Sequence, residues 1–339
     1  MIQSLPEGYT ARHATTEDAQ RVADLFNDRW EATTGTRPST PEGVLRNWKH
    51  PKFNLSTDSR LVFGPDAELI GYAHLRDVKD PPVDVFSGYC VRPDHDESPW
   101  LWDDLFEWLE AEARRAIPKA PADARIVLLA GASDDDPTEQ RELERYGFEH
   151  SRTFHRMKTE FSSEGTVPEP PRLPNGIGIR EFIPGQDDEA LVRTWCEAFK
   201  DHYGILIQPF ETELEEWRGL MKEEGFDSSL WSVAHDTGDG TMVGLCVCTT
   251  LPPGGIPERA QVADLGVRPA WRRQGIGRSL LLHTFGILAE RGIESVELTV
   301  DTENKSGAPT LYKQVGMHSI RVNHTYLKEL RPGINLVAQ

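Results

Sequence analysis

Residues 267–282, VRPAWRRQGIGRSLLL, carry the most informative pattern in the chain. A strand-forming segment ends at Val267, a turn follows, and Gly275 and Gly277 stand where an amphipathic helix begins. Glycines at such a point let the backbone approach a ligand closely, and the unpaired amides of the first helical turn point outward. Those amides form an anion site that suits a phosphate or a pyrophosphate. Positive charge around it comes from Arg272, Arg273 and Arg278.

Two well-known phosphate loops do not fit this stretch. A Walker A loop needs Gly-Lys-Ser/Thr, whereas Arg278 follows Gly277 here, and a Rossmann fingerprint needs a third small residue where Leu280 stands. Zinc is not indicated elsewhere, because Cys246 and Cys248 alternate along a strand with no second ligand pair nearby. Two interpretations of the turn remain. It is an anion site, or it is a glycine-rich strand-to-helix turn with solvated arginines.

The same residues resemble a known family. Residues 272–277, Arg-Arg-Gln-Gly-Ile-Gly, are similar to motif A of the GNAT acyltransferase superfamily, whose signature is Gln/Arg-x-x-Gly-x-Gly/Ala. Residues 301–317, DTENKSGAPTLYKQVGM, are similar to the family's other recurrent element, an Asn before a helix that bears Leu-Tyr and ends in Gly-Phe or Gly-Met. The resemblance extends in order and spacing from Ile179 to about Leu330. It implies an acyltransferase that uses acetyl-CoA and no metal.

The resemblance also implies roles for particular residues. Backbone amides of residues 273–278 would hold the CoA pyrophosphate, and the backbone of Leu265 and Val267 would hydrogen-bond the pantetheine like an added β-strand. Asn304 would contact the pantetheine arm, and Tyr312 would lie beside the thioester sulfur. The residues expected to bind acetyl-CoA are Leu265, Gly266, Val267, Arg272, Arg273, Gln274, Gly275, Ile276, Gly277, Arg278 and Asn304.

Two residues are the candidate catalysts. Tyr312, a phenol with a pKa of about 10, could protonate a departing thiolate of similar basicity, although a Tyr in a late helix also suits packing. Asp264 stands where many family members carry an acidic residue near the acceptor amine, but it could equally cap a turn or form a salt bridge. His202 and Tyr203 follow the first helix of this half and are candidates for the acceptor pocket. Three further carboxylates are predicted to form a solvated face: Glu211, Glu213 and Glu215.

The chain repeats its pattern in two halves. Residues 69–75 (LIGYAHL) parallel 242–248 (MVGLCVC), 90–93 (CVRP) parallel 266–269 (GVRP), and 143–148 (LERYGF) parallel 312–317 (YKQVGM). Matches in the same order indicate a duplicated domain. Residues 161–176, FSSEGTVPEPPRLPNG, have no helical or strand period and predict a linker. We therefore expect a mixed α/β protein of two tandem GNAT domains, residues 1–160 and 177–339, which looks most like the tandem group that includes mycothiol synthases. The resemblance implies the architecture and not the substrate.

The first half departs from the motif. When the two halves are aligned on their Val-Arg-Pro segments, Asp96 replaces Arg272, and Pro99 and Leu101 replace the two glycines. Proline has no N–H to offer, and an acidic side chain repels a pyrophosphate. Leu143 replaces the tyrosine. The first domain is therefore predicted to be a degenerate copy kept for structure, substrate shaping or dimerisation.

Composition excludes several other classes. The 339 residues include 37 Lys plus Arg and 55 Asp plus Glu, which gives a formal net charge of −18. Such a field repels nucleic acid and anionic lipid and attracts cationic small molecules. No apolar run approaches the ~20 residues that cross a bilayer, the start of the chain lacks the pattern of a signal peptide, and four scattered cysteines do not form a disulfide framework. We expect a soluble cytoplasmic protein.

These observations predict an N-acetyltransferase whose second half transfers an acetyl group from acetyl-CoA to a primary amine of a small, cationic molecule. The amine would attack directly in a ternary complex. Two alternatives remain. One is a non-catalytic tandem module that binds or senses CoA, and the other is an enzyme that acetylates a protein N-terminus or a lysine. Either a monomer or a homodimer is compatible with the sequence.

Overall fold

The computed structural model describes residues 5–50, 52–76, 79–161, 172–206, 208–223, 225–251, 259–304 and 307–337. They form two compact units. The first unit comprises the residues up to Phe154 together with Arg321–Leu336, and the second comprises His155–Ile320 and Val337. In the residues so described, no helix is both long enough and apolar enough to cross a membrane.

The first unit is a mixed sheet with helices on both faces. Its strands, in sheet order, are β1 (Thr10–Arg12), β2 (Ser59–Phe63), β3 (Leu69–Arg76), β4 (Asp84–Val91), β5 (Ile126–Ser133) and β12 (His318–Arg331) from Arg321 onward. Its helices are α1 (Ala19–Thr34), α2 (Pro41–Trp48), α3 (Pro99–Ala113) and α4 (Pro137–Arg145). Successive strand residues alternate between two cores: Leu61 packs with α1 and α2, whereas Val62 packs with α3.

The second unit repeats this arrangement. Its strands, in sheet order, are β7 (Ile177–Glu181), β8 (Ser232–Asp236), β9 (Met242–Leu251), β10 (Arg259–Val267), β11 (Ser295–Asp301) and the second half of β6 (Glu149–Glu160). Its helices are α5 (Asp188–Phe199), α6 (Phe210–Leu220), α7 (Ile276–Glu290) and α8 (Ala308–Gln314). Mixed α/β architecture in two copies is confirmed.

Helix α7 follows directly from its sequence. Gly275 precedes it with φ +87°, and Gly292 follows it with φ +76°, so both ends use backbone conformations that favour glycine. Between them, an apolar face is buried against the sheet: Ile276, Leu280, Leu281, Phe285 and Leu288. The apolar spacing of the sequence predicts a helix from Gly275 to Arg291, and α7 agrees with that prediction to within one residue at each end.

The sheet of the second unit splits next to α7. β10 pairs with β9 as far as Val267, but its parallel pairing with β11 covers only Arg259–Gln261. The register with β9 shifts between Val262 and Asp264, so that the strand bulges one residue before Asp264. Among the described strands, the end of β10 therefore has no ladder partner on its β11 side. β4 and β5 of the first unit separate in the same way, after Phe86.

The compact units do not follow the predicted domain limits of 1–160 and 177–339. Residues 155–160 of β6 belong to the second unit, and residues 321–336, which include the end of β12, belong to the first. Met157 accordingly lies in the core of the second unit, and Tyr326 and Leu330 lie in a core of the first. Each unit thus completes its sheet with a strand that follows the last helix of the other. Residues 162–171 of the predicted linker lie outside the described residues.

Candidate active site

The glycine-rich turn has the backbone of an anion site. Arg273 has φ +65° and Gly275 has φ +87°, so the chain enters the left-handed region twice before α7 begins. Successive backbone N–H groups in such a turn point to one side, and the positive end of the helix dipole lies beside them. The turn is exposed at residues 272–275 and reaches the buried Ile276 one residue later. Its amides are consequently open to a ligand while its end is held in the core.

The turn lies against the segment that follows β11. A Cβ atom on Gly307 would lie 3.1 Å from Nη1 of Arg273, and one on Gly277 would lie 3.4 Å from Cδ2 of Leu311 in α8. Asn304 lies in the same β11–α8 connection, where its backbone N–H donates to the carbonyl of Asp301. The structure therefore brings the glycine turn, the expected pantetheine contact Asn304 and α8 into one region of the second unit.

The Arg272 side chain connects elements of the protein. Its Nε donates to the Val267 carbonyl at 3.0 Å, and its Nη2 donates to the Ala198 carbonyl at 2.8 Å. Arg272 thus holds the end of α5 against the end of β10. The Val267 carbonyl has a protein donor already. Arg268 donates its N–H to the Val243 carbonyl of β9, so alternation along the strand turns the backbone of Leu265 to the unpaired side of β10.

Asp264 lies directly after the bulge in β10 and is half-buried. Its Oδ1 accepts a hydrogen bond of 2.8 Å from the indole nitrogen of Trp195 on α5. Burial raises the pKa of the Asp264 carboxyl, while the indole bond and the nearby His202 lower it, and the net direction is upward. A carboxyl with a raised pKa is a stronger base than an ordinary surface carboxylate.

Tyr312 lies in α8 with 8% of its surface exposed. Burial raises the pKa of the Tyr312 hydroxyl above the ordinary phenol value, and the neighbouring Cys246 and Asp264 side chains raise it further. Asp264 and Tyr312 therefore lie close enough for their charges to interact. Among the described residues, the Tyr312 hydroxyl has no hydrogen-bond partner, so none of them accepts its proton.

Aromatic side chains at the end of α5 line the side of the site next to Asp264. The rings of Trp195 and Phe199 stack at 5.5 Å, and the rings of Phe199 and His202 lie 5.6 Å apart. His202 also approaches the Tyr203 carbonyl, with Nδ1 at 3.1 Å. His202 thus lies close enough to Asp264 to lower its pKa.

The prediction of a solvated face on α6 is wrong for one residue. Glu211 and Glu215 are exposed, but Glu213 is only 5% exposed because it lies on the face of α6 that also buries Leu214 and Trp217. Its Oε1 accepts a hydrogen bond from the Gln208 amide at 3.1 Å, and burial raises its pKa.

Sequence reasoning missed the part played by Trp195. Its position on the apolar face of α5 predicts a core residue, and 69 positions of sequence separate it from Asp264. An indole nitrogen on a helix face gives no sequence signal for the carboxylate that it will contact, because that contact depends on the bulge in β10.

The corresponding region of the first unit contains an ion-pair cluster. Arg29 of α1 is buried, forms a bidentate pair with Asp136 at 2.5–2.6 Å and also pairs with Asp96. Glu139 lies 4.0 Å from the same guanidinium, and burial together with the Asp136 charge raises its pKa to about 8. Leu143 is fully buried. The first unit thus has an acidic cluster where the second unit has the glycine turn and the tyrosine.

Comparison with known proteins extends the likeness to the whole chain. A family model described as Acetyltransferase (GNAT) family matches residues 191–317. The mycothiol acetyltransferase of Saccharomonospora viridis is 29% identical over 317 residues, which cover 91% of this chain and 95% of that protein. The mycothiol acetyltransferase of Kytococcus sedentarius is 33% identical over 202 residues, and this match spans 59% of the chain and 64% of the relative.

Two solved structures cover both units. A GCN5-related N-acetyltransferase from Sphaerobacter thermophilus superimposes with a TM-score of 0.85 and 30% identity, covering 98% of this chain and 99% of that one. A tandem GNAT protein from the clavulanic acid biosynthesis pathway shares the fold, with a TM-score of 0.69 and 13% identity over 96% of this chain and 100% of that one.

Fold and site together define an acyltransferase architecture that is built twice in one chain, with the motif intact in the second copy only. The chain belongs to the GCN5-related N-acetyltransferase family. The tandem GNAT architecture and the acyltransferase class predicted from residues 272–277 are confirmed.

Proposed function

We propose that the second unit transfers an acetyl group from acetyl-CoA to the primary amine of a small, cationic molecule. The observation that carries this proposal is the grouping of Asp264 and Tyr312 beside the unpaired end of β10. One is a carboxyl with a raised pKa, and the other is a buried phenol whose proton has no protein acceptor among the described residues. The first unit carries neither group at the corresponding positions.

The residues around the glycine turn fit acetyl-CoA. The left-handed backbone at Arg273 and Gly275 supports binding of the pyrophosphate by the amides of residues 273–278, with Gln274, Ile276 and Arg278 in the same turn. The separated edge of β10 supports pantetheine binding along residues 265–267, and Asn304 lies in the adjoining connection. Acetyl-CoA supplies the acetyl group as an activated thioester.

The chain's own groups account for the proton movements. The attacking amine must be neutral, and after N–C bond formation it must lose a proton, which Asp264 accepts. The C–S bond breaks with its electron pair on sulfur, and the Tyr312 hydroxyl donates a proton to that thiolate. The two proton transfers balance, and direct transfer between two bound molecules needs no covalent intermediate on the enzyme.

The surroundings of Asp264 favour a cationic acceptor. The net charge of −18 attracts cations toward the protein, and the aromatic faces of Trp195 and Phe199 can bind an ammonium group by cation–π attraction. Because its relatives include proteins named mycothiol acetyltransferase, we place a mycothiol-related amine first among the acceptors to be tried.

Calorimetric titration with acetyl-CoA, followed by a screen of amines with detection of released thiol, tests the proposal. We expect one acetyl-CoA site per chain and thiol release that depends on a small amine. Two sites per chain would contradict the assignment of the second unit alone. Binding without turnover on any small amine would favour a CoA-binding module, and turnover only on peptides would favour a protein acetyltransferase.

A further inference from the structure

Trp195 contacts the candidate base directly. Its indole nitrogen donates to Oδ1 of Asp264 at 2.8 Å, across the junction between α5 and β10. Oδ2 of the same carboxylate makes no hydrogen bond to any described residue. The two oxygens of Asp264 are therefore inequivalent: one is held by the protein, and the other remains available.

The indole itself is held from two directions. The Phe199 ring stacks on it at 5.5 Å with 28° between the planes, and Trp217 meets it edge-on at 5.9 Å. Trp217 is 6% exposed and packs in turn against Trp231 at 5.6 Å. A side chain fixed by two aromatic neighbours loses little further freedom when it donates a hydrogen bond, so the donor is already in place before an acceptor binds.

We propose that Trp195 is a positioning residue that fixes the Asp264 carboxylate by its Oδ1 and so directs Oδ2 toward the acceptor amine. This inference rests on the proposed function, because it concerns the base of that reaction. Without the indole donor, the carboxylate can rotate about its side-chain bonds, and the proton acceptor is no longer held beside the amine. Small misplacements of a reacting group of this kind are costly to the rate.

The electrostatics around Asp264 make the inference measurable. Its pKa is raised by burial and held down by the indole bond and by His202, and the other titratable groups that interact with it are Tyr312 and Cys246. Removing the indole donor takes away one of the two influences that favour the charged form. The Asp264 pKa should then rise further, and the pH–rate profile should report that rise.

Trp195→Phe removes the donor and keeps an aromatic ring. We expect the acidic limb of the kcat/KM profile to move upward by about one pH unit and kcat at neutral pH to fall about tenfold, with the KM for acetyl-CoA unchanged. Trp48→Phe is the matched control, because Trp48 of the first unit donates an indole hydrogen bond of the same 2.8 Å length, to Tyr72. This control should leave the acidic limb in place.

A second replacement separates the hydrogen bond from packing. Site-specific incorporation of 3-benzothienylalanine at position 195 keeps the shape of the side chain and replaces the N–H by sulfur. It should shift the acidic limb as Trp195→Phe does. An unshifted limb with this analogue, or an equal shift in the Trp48 variant, would overturn the inference.

A readout without turnover distinguishes failure of this inference from failure of the proposed function. The Asp264 side-chain carboxyl can be titrated by carbon-13 NMR in the unliganded protein, with Asp264→Asn to assign its signal. A higher Asp264 pKa in both position-195 variants supports the hydrogen bond even if no acceptor amine is found. An unchanged pKa overturns the inference even if acetyl transfer is observed.

Discussion

Tyr312 combines a buried position with a hydroxyl that has no hydrogen-bond partner among the described residues. Because burial and the neighbouring Asp264 carboxylate raise its pKa above the phenol value, Tyr312 stays protonated throughout the working pH range. The raised pKa makes Tyr312 a weaker acid than a free phenol, so it keeps its proton until a thiolate forms beside it, and it does not compete for the proton of the amine. Its chemistry therefore belongs to the departure of CoA.

Tyr312→Phe should lower kcat by about 10²–10³-fold with little change in acetyl-CoA affinity, because the aromatic ring remains and only the proton is lost. Thiol release gives the turnover, and calorimetry gives the affinity. Tyr326→Phe is the control, since Tyr326 is similarly buried at 3% exposure but lies in the first unit. Wild-type turnover in the Tyr312 variant would remove it from the mechanism.

The ionised Asp264 carboxylate should support turnover and lower the stability of the folded protein. A carboxyl whose pKa is raised in the folded state binds more protons folded than unfolded, so stability falls as pH rises from the ordinary value of 3.8 through the folded value. Asp264→Asn removes that penalty and keeps an oxygen that can accept the Trp195 bond. We expect a higher Tm than wild type at pH 7–8, no difference below the ordinary carboxyl pKa, and loss of most amine-dependent turnover.

Differential scanning calorimetry at pH 3.5 and pH 7.5, together with thiol-release assays, checks both effects. A variant that is less stable at neutral pH would mean that Asp264 has a structural task instead. A variant with full turnover would transfer the role of base to another group.

The strand–turn–helix element from β10 to α7 is where fold and ligand binding meet. Gly277 has an added Cβ position only 3.4 Å from Leu311 and 3.8 Å from Val267, whereas Gly286 of the same helix has nothing within 4 Å. The first glycine therefore lies between three elements, and the second lies on an open part of the helix. This difference provides a matched pair of substitutions.

Gly277→Glu should abolish acetyl-CoA binding, since it adds bulk against α8 and negative charge at the expected pyrophosphate site. Gly286→Glu should bind like wild type, because it adds the same charge at an open position and improves helix propensity. Calorimetry measures both, and circular dichroism verifies that both variants fold. Equal binding by the two variants would mean that the pyrophosphate lies elsewhere.

For individual helices and strands, the sequence predicts much of what the structure contains. Glycine spacing and apolar periodicity predicted α7 to within one residue, because local backbone chemistry determines where that helix begins and ends. The contact of Trp195 with Asp264 was not predictable, since it depends on a bulge in a strand 69 residues away. The burial of Glu213 was missed for a similar reason: a charged residue at helical spacing looks solvated until the neighbouring helix is in place.

At the level of the whole molecule, the two halves of the chain exchange a strand: β6 ends in the second unit, and β12 ends in the first. Eight residues from Asn323 to Arg331 pair with β5 in the first unit, and Met157 fills the core of the second. Both strands follow equivalent helices in a duplicated sequence, so their order along the chain does not identify the sheet that each strand joins. Only the assembled structure identifies the sheet that each strand joins, which is why the predicted domain limits differ from the compact units.

This exchange predicts that fragments of similar length will behave differently. Residues 177–339 lack the part of β6 that lies beside β11, and they carry a β12 segment whose partner β5 is absent, so two strand edges and apolar side chains such as Tyr326 would be exposed. Residues 155–320 contain the strand that completes the second unit. We expect the 155–320 fragment to melt cooperatively and to bind acetyl-CoA, and the 177–339 fragment to aggregate.

Co-expression of 1–160 with 177–339 should restore a soluble complex, because each then supplies the strand that the other lacks. Cooperative melting and full acetyl-CoA binding by 177–339 alone would show that the exchanged strands are dispensable, and the second unit would then be a self-sufficient domain at the limits that its sequence predicts.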